Sequence, residues 1–260
     1  MTAYAAEIWR LRHFWLALVR VDLRKCYRHT TLGLGWSLLH PVAMTVVLCT
    51  VFSKLFNADI RTYAPFLLSG LTLWNFMTAV MTQGCQSFFQ GESYIRQHPA
   101  PLAIYPLRAT LGTGIHLLLG LGVVLAFVWC FRGFGNIPAL VSLVPTLLLV
   151  FVFAWSLAIC MGVVNVLFQD TQHLIQVLLQ VLFYVTPVMY PADVLRERKL
   201  SWVVSFNPLS AFLELVRLPM VEAKFPSLSS YAVAIVTTLL VAAGAFLLLS
   251  RYERRMIFYL

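Results

Sequence analysis

Three cations stand within five residues near the start of the chain, Arg24, Lys25 and Arg28, and no Asp, Glu, Lys or Arg follows until Lys54. Elsewhere, side chains able to do covalent or energy-coupled chemistry are scarce. A phosphate-cradling loop of the Walker type requires Gly-Lys followed by Ser or Thr. The lysines are Lys25, Lys54, Lys199 and Lys224, and none follows a glycine, so this chain does not bind ATP in that way. The six histidines are scattered, with no His-Glu-x-x-His pattern, and His40, His116 and His173 fall in or beside apolar runs. An ionisable group inside a membrane is a functional candidate by default. The ordinary alternative is a neutral imidazole bonded to a neighbouring helix. Cys26, Cys49, Cys85, Cys130 and Cys160 are odd in number and widely spaced, neither a disulfide framework nor a metal site. No chain of Asp or Glu runs through the apolar segments, which argues against a proton- or sodium-coupled carrier.

The elements that position these groups follow from the charge gaps. The chain is 60% hydrophobic and 11% charged, against roughly 45–50% and about 25% in soluble domains. This is the composition of an integral membrane protein. A spanning helix needs roughly 20 apolar residues, because it rises about 1.5 Å per residue through a core about 30 Å thick. Runs free of Asp, Glu, Lys and Arg cover residues 29–53, 62–91, 109–131, 133–169, 171–192 and 225–250. The expectation is therefore an all-α membrane protein with six transmembrane helices and both termini on one side. Lys and Arg number 11 on the terminal side, while the two short loops opposite carry only Lys54, Arg61 and Arg132. Cations in short loops mark the cytoplasm, so both termini are expected there. The net charge of +9 is read as attraction to anionic lipids rather than to nucleic acid. The first residues lack the pattern of a cleavable signal peptide.

Two segments do not span. In residues 5–21, Ile8, Leu11, Trp15, Leu18 and Val19 share one helical arc, opposite Arg10, His13, Ala17 and Arg20. This predicts an amphipathic helix in the membrane surface, anchored by Trp9 and Trp15, within a cytoplasmic interface segment 1–28. The last external segment, 193–224, holds an apolar stretch, 200–213, too short to cross. It predicts a re-entrant helix pair broken at Pro208, with Asn207 or Ser210 as a cap and Glu214 and Arg217 placed to pair at i,i+3. Non-helical backbone at that depth must be buried in protein or line a wet cavity. No internal repeat or linker divides residues 1–260, which read as one domain.

Three stretches carry a family resemblance. The first is Asp22-Leu23-Arg24-Lys25-Cys26-Tyr27-Arg28 with Leu32-Gly33 and Trp36-Ser37-Leu38-Leu39-His40-Pro41. The second is Phe183-Tyr184-Val185-Thr186-Pro187-Val188-Met189-Tyr190-Pro191. The third is Phe206-Asn207-Pro208-Leu209-Ser210, leading to Glu214 and Arg217. The whole chain resembles the membrane (permease) subunit of ABC-2 type polysaccharide exporters, and the first stretch resembles the polysaccharide branch in particular. The resemblance implies a homodimer with two copies of a separate ABC ATP-binding subunit, which would hold ATP and Mg. No cofactor is then expected in this chain and no catalytic residue or metal site. It implies export of undecaprenyl-linked polysaccharide, O-antigen in particular, across the bacterial cytoplasmic (inner) membrane. It also implies a coupling helix in the region 91–106, comprising Glu92, Ser93, Tyr94, Ile95, Arg96, Gln97, His98 and Pro99. Without the family, that stretch reads as a short polar helix stopped by prolines. This chain has Leu102 where relatives often carry a basic residue after the equivalent of Pro101.

Under this resemblance Arg24, Lys25 and Arg28 are candidates to receive a lipid diphosphate at the cytoplasmic entrance, since guanidinium forks match phosphate oxygens. The bland reading is that they only set topology. Trp36, Trp74, Phe183, Tyr184 and Tyr190 are candidates to line a sugar path, although aromatics crowd membrane interfaces in any case. Asn207, Pro208, Glu214 and Arg217 would build the external pair. Two other readings stand beside the exporter: an ABC-2 permease for a drug or small lipid, and a membrane enzyme acting on lipid-linked sugars. The enzyme would need positioned acids or bases, and Asp193, Glu197, Glu214 and Glu222 are the one external acidic cluster.

Overall fold

The structure is a computed structural model. It describes residues 2–28, 33, 35–55, 59–97, 100–133, 136–191, 207–253 and 255–259. Of residues 2, 3, 5, 26, 27, 37, 54, 55, 132, 257 and 258 it describes the backbone only. Among the described residues the fold is all-helical. In chain order the helices are α1 (Thr2–Arg10), α2 (Arg12–Tyr27), α3 (Gly35–Leu55), α4 (Ile60–Gln97), α5 (Ile104–Arg132), α6 (Ile137–Val141), α7 (Leu143–Leu167), α8 (Thr171–Val185), α9 (Pro208–Arg217), α10 (Leu228–Tyr252) and α11 (Met256–Tyr259). A π-helical turn, Leu218–Glu222, continues α9.

Among the described residues four helical segments are long and apolar enough to cross a membrane: Ile60–Gln97, Ile104–Phe131, Ile137–Leu167 and Leu228–Tyr252. Two shorter apolar helices, Leu38–Ser53 and Thr171–Val185, fall in the remaining charge-free runs. α8 is shorter than its run because Thr186 turns to extended backbone (φ −81°, ψ 137°) ahead of Pro187. A residue before proline is driven out of the helical region, so a charge gap overstates the helix here.

α4 is the axis of the molecule and packs against α3, α5, α7 and α8. In its most apolar window 78% of residues are buried, against 22% in α10. Its contact with α7 depends on small residues. A Cβ on Gly84 would lie 2.8 Å from the Ala158 Cα, so only glycine lets the two backbones approach this closely. Where α7 turns into α8, the buried Asn165 donates to the Cys85 carbonyl (2.8 Å) and accepts from the Gln172 amide N–H (3.2 Å). Gln86 and Gln172 join by their side-chain amides.

The N-terminal amphipathic segment forms as two helices, broken at Leu11, and reaches Tyr27. Leu18 and Val19 are buried and α2 lies on α5, while Arg10, His13, Ala17 and Arg20 are exposed as their arc predicts. Asp22 and Arg108 form a bidentate ion pair between α2 and α5. A second apolar cluster at one end of the bundle joins Phe88 and Ile95 of α4 with Tyr105, Val163, Leu249 and Met256, and Tyr4 and Ile8 pack on it. There Glu253 accepts from Tyr4 (2.8 Å) and from the Leu102 N–H (3.3 Å), tying α1, the end of α10 and the entry to α5 together. Burial, aided by Glu253, pushes the Tyr4 phenol up, so it remains a protonated donor.

Residues Gly91–Gln97 do not form a helix of their own. They are the last turns of α4, which runs unbroken from Ile60 to Gln97. Gly91 abuts the Tyr105 ring, Ile95 is buried, and Ser93, Tyr94, Arg96 and Gln97 are exposed. Glu92 and Arg96 pair at 2.9 Å. His98 and Pro99 lie outside the described residues.

Candidate functional site: a hydrogen-bonded knot beside an amide-lined groove

The second and third sequence stretches, some 20 residues apart in the chain, meet in space. A helix leaves its last carbonyls without intrahelical partners, and Pro187 has no N–H with which to continue the ladder. Side chains supply what the backbone cannot. The Tyr190 hydroxyl donates to the carbonyls of Tyr184 (2.9 Å) and Val185 (3.2 Å). Arg217 donates from Nη1 to the Pro187 carbonyl (2.6 Å) and from Nη2 to the Val188 carbonyl (2.5 Å). Tyr63 of α4 donates to the Met189 carbonyl (2.6 Å). Asn207 serves both sides: Oδ1 caps α9 by accepting from the Leu209 N–H (3.0 Å), and Nδ2 donates to Thr186 Oγ1 (2.7 Å).

Arg217 is the centre of this knot. Its side chain is buried, and its guanidinium carbon lies 3.8 Å from the centroid of the Phe66 ring, a cation–π contact. Burial pushes its pKa down, to about 9, with the Tyr63 phenol opposing, so it is still a cation at neutral pH. Gly70 makes room for it, since a Cβ there would sit 2.1 Å from Nη2. The Glu214–Arg217 pair expected from spacing is not among the ion pairs of the described residues; the guanidinium instead turns both terminal nitrogens to carbonyls. Nε has no hydrogen-bond partner among the described residues. Of the two candidate caps it is Asn207 that caps α9. Residues 192–206, the first half of the expected re-entrant pair, lie outside the described residues.

Next to the knot, α3, α4 and α8 enclose an open groove of about 290 Å³. Trp74, Phe183 and Tyr184 line it, three of the five aromatics singled out from sequence. The Trp74 and Phe183 ring centroids are 5.5 Å apart, and those of Phe183 and Tyr184 5.4 Å. Trp36 is exposed at the start of α3 and is not among the lining residues of this groove, and Tyr190 belongs to the knot. Of the groove's polar lining, sequence reasoning singled out His40 and missed Asn75, Thr78, Gln176 and Gln180. A signal was present, since Gln172, Gln176, Gln180 and Tyr184 recur every four residues along α8 and thus lie along one strip of its surface. A search for charges passes over neutral amides.

Arg24, Lys25 and Arg28 are exposed at the end of α2. Cations there also complement the negative end of the helix dipole. The structure therefore brings the aromatic candidates Trp74, Phe183 and Tyr184 to one groove, and two of the re-entrant candidates, Asn207 and Arg217, to one knot. The cationic triplet stands apart from both.

The chain matches the family described as ABC-2 type transporter over residues 13–221. It is 25% identical to the O-antigen export system permease protein RfbA of Klebsiella pneumoniae over 76% of each chain. It is 24% identical to the protein of the same name from Myxococcus xanthus over 97% of this chain and 98% of that one. Against the polysialic acid transport protein KpsM of Escherichia coli it is 23% identical over 84% of each. A match spanning most of the chain, over a bundle whose two signature stretches are knotted together, makes this protein a member of the ABC-2 type transporter family.

Proposed function

We propose that the chain is the transmembrane subunit of an ATP-driven exporter that moves undecaprenyl-linked polysaccharide, O-antigen in particular, across the bacterial inner membrane. The observation that carries this reading is the family match together with relatives named for O-antigen export and polysialic acid transport. Two copies would form the path, with six spans each and both termini cytoplasmic. Two copies of a separate ATP-binding subunit would bind ATP and Mg and work the path from below.

In this scheme the end of α4 and the loop into α5 form the lever that meets the ATPase. Force applied there passes directly into α4, because the helix is unbroken as far as the knot. Arg24, Lys25 and Arg28 receive the diphosphate at the entrance. The groove aromatics stack on sugar faces, and the knot with its re-entrant segment borders the outer mouth. Deletion should strand lipid-linked glycan on the inner leaflet, seen as loss of surface glycan with accumulation of the lipid-linked form. Replacing Arg24, Lys25 and Arg28 by glutamine should lower export while the protein still inserts. Normal surface glycan in the deletion strain overturns the reading, and normal export by the triple variant overturns the entrance role. A drug or small-lipid permease is the runner-up, and the same deletion assay separates the two.

A further inference from the structure

We propose, resting on the export reading above, that the α3–α4–α8 groove selects an uncharged, hydroxyl-rich glycan and disfavours a polyanionic one. Three observations carry this. First, the groove's polar lining is His40, Asn75, Thr78, Gln176 and Gln180, and no Asp, Glu, Lys or Arg is among its lining residues. A primary amide offers a carbonyl acceptor and two N–H donors, and a hydroxyl both donates and accepts. Amides therefore pair with sugar hydroxyls in either sense. A string of carboxylates passing the same wall would lose hydration with no Lys or Arg among the described lining residues to pair with, which is costly in a low-dielectric setting.

Second, Gln176 and Gln180 are exposed on α8 among the exposed Leu174, Val177, Leu178 and Val181. An amide turned to hydrocarbon with nothing to bond costs several kcal/mol, so two amides held open on an apolar helix mark a surface that faces something polar. Third, Trp74, Phe183 and Tyr184 complete the wall with aromatic rings, whose flat apolar faces suit the apolar face of a sugar ring. A second copy of the chain or a lipid tail are the rival occupants. A tail would leave the amides unsatisfied, and a second copy makes them subunit contacts, which the test below resolves.

The test uses the permease with its ATPase subunit in proteoliposomes. The probes are undecaprenyl diphosphate carrying a mannose oligomer and the same lipid carrying a sialic acid oligomer of equal length, and the readout is stimulated ATP hydrolysis. The mannose probe should stimulate and the sialic acid probe should not. The Gln176→Leu/Gln180→Leu variant should lose about tenfold in apparent affinity for the mannose probe, as expected for two neutral hydrogen bonds. Gln180→Lys should admit the sialic acid probe. If the double variant does not accumulate, Gln180→Met, which keeps the volume and removes the amide, reads the same contact with a smaller loss. Equal stimulation by both probes overturns the proposal and leaves the export reading standing. Unchanged affinity in the leucine or methionine variant also overturns it. So does dissociation of the complex in size-exclusion chromatography, since the amides would then join subunits. If neither probe stimulates an otherwise active complex, the export reading fails together with the proposal.

Discussion

The knot and the groove share two helices, α4 and α8, and lie side by side along them, yet they treat polar groups in opposite ways. In the knot, the carbonyls of Tyr184, Val185, Pro187, Val188 and Met189 each have a side-chain donor from Tyr190, Arg217 or Tyr63. In the groove, Gln176 and Gln180 are exposed. Backbone that leaves a helix in an apolar setting must be satisfied within the protein, so the knot is what allows α8 to stop at Val185 and turn. Polar side chains that no structural need consumes are those available to a passenger. On the reading proposed above, side chains that satisfy backbone carbonyls hold the fold, and the exposed amides of the groove are those that would meet a passenger.

Substitutions can break this division, and the largest effect is expected in the knot. Arg217→Met leaves two buried carbonyls without a charged donor, at about 1–3 kcal/mol each. Gly70→Val forces the guanidinium out by overpacking, at about 1–3 kcal/mol or more. Both should lower the thermal unfolding midpoint in detergent and the amount of protein in the membrane. A fully stable Arg217→Met would show the knot to be dispensable. Next is the groove. The Gln176→Leu/Gln180→Leu variant should weaken glycan-stimulated hydrolysis about tenfold while its unfolding midpoint stays at the parent value. A large drop in midpoint would move these amides to the structural side.

Asn207→Ala removes the cap of α9 and the bond to Thr186, and should destabilise by about 0.5–2 kcal/mol, read in the same melt, with glycan selectivity unchanged. The smallest effect sharpens the boundary. Tyr190 was singled out as a path aromatic, but its hydroxyl serves the carbonyls at the end of α8. Tyr190→Phe keeps the ring and loses the hydroxyl. It should cost about 1 kcal/mol with export unchanged, whereas Tyr184→Phe, altered on the groove side, should leave the melt unmoved. An export defect in Tyr190→Phe with an unaltered melt would place Tyr190 on the path.

Much of this was legible from residue types. Apolar runs between charges located the helices because the hydrocarbon core tolerates few charges anywhere. The arcs of the N-terminal segment were legible because helical geometry sets which residues share a face, and Leu18 and Val19 are indeed its buried members. Trp74, Phe183 and Tyr184 were singled out together with Trp36 and Tyr190, but which of the five share one groove was not legible from residue type.

The rest required coordinates. Spacing placed Glu214 within reach of Arg217, but a guanidinium goes to whichever acceptors lack other partners, and the turn at Thr186-Pro187 supplied two. The separate polar helix at Gly91 dissolved into α4 because Ile95 is buried and the Tyr105 ring fills the notch at Gly91, contacts made by tertiary packing. Sequence by itself determined class, family resemblance, helix locations and the lack of a Walker loop, since each follows from local composition or order. Tertiary structure alone decided which polar groups are spent and which stay open, because hydrogen-bond partners are settled by proximity between segments far apart in the chain.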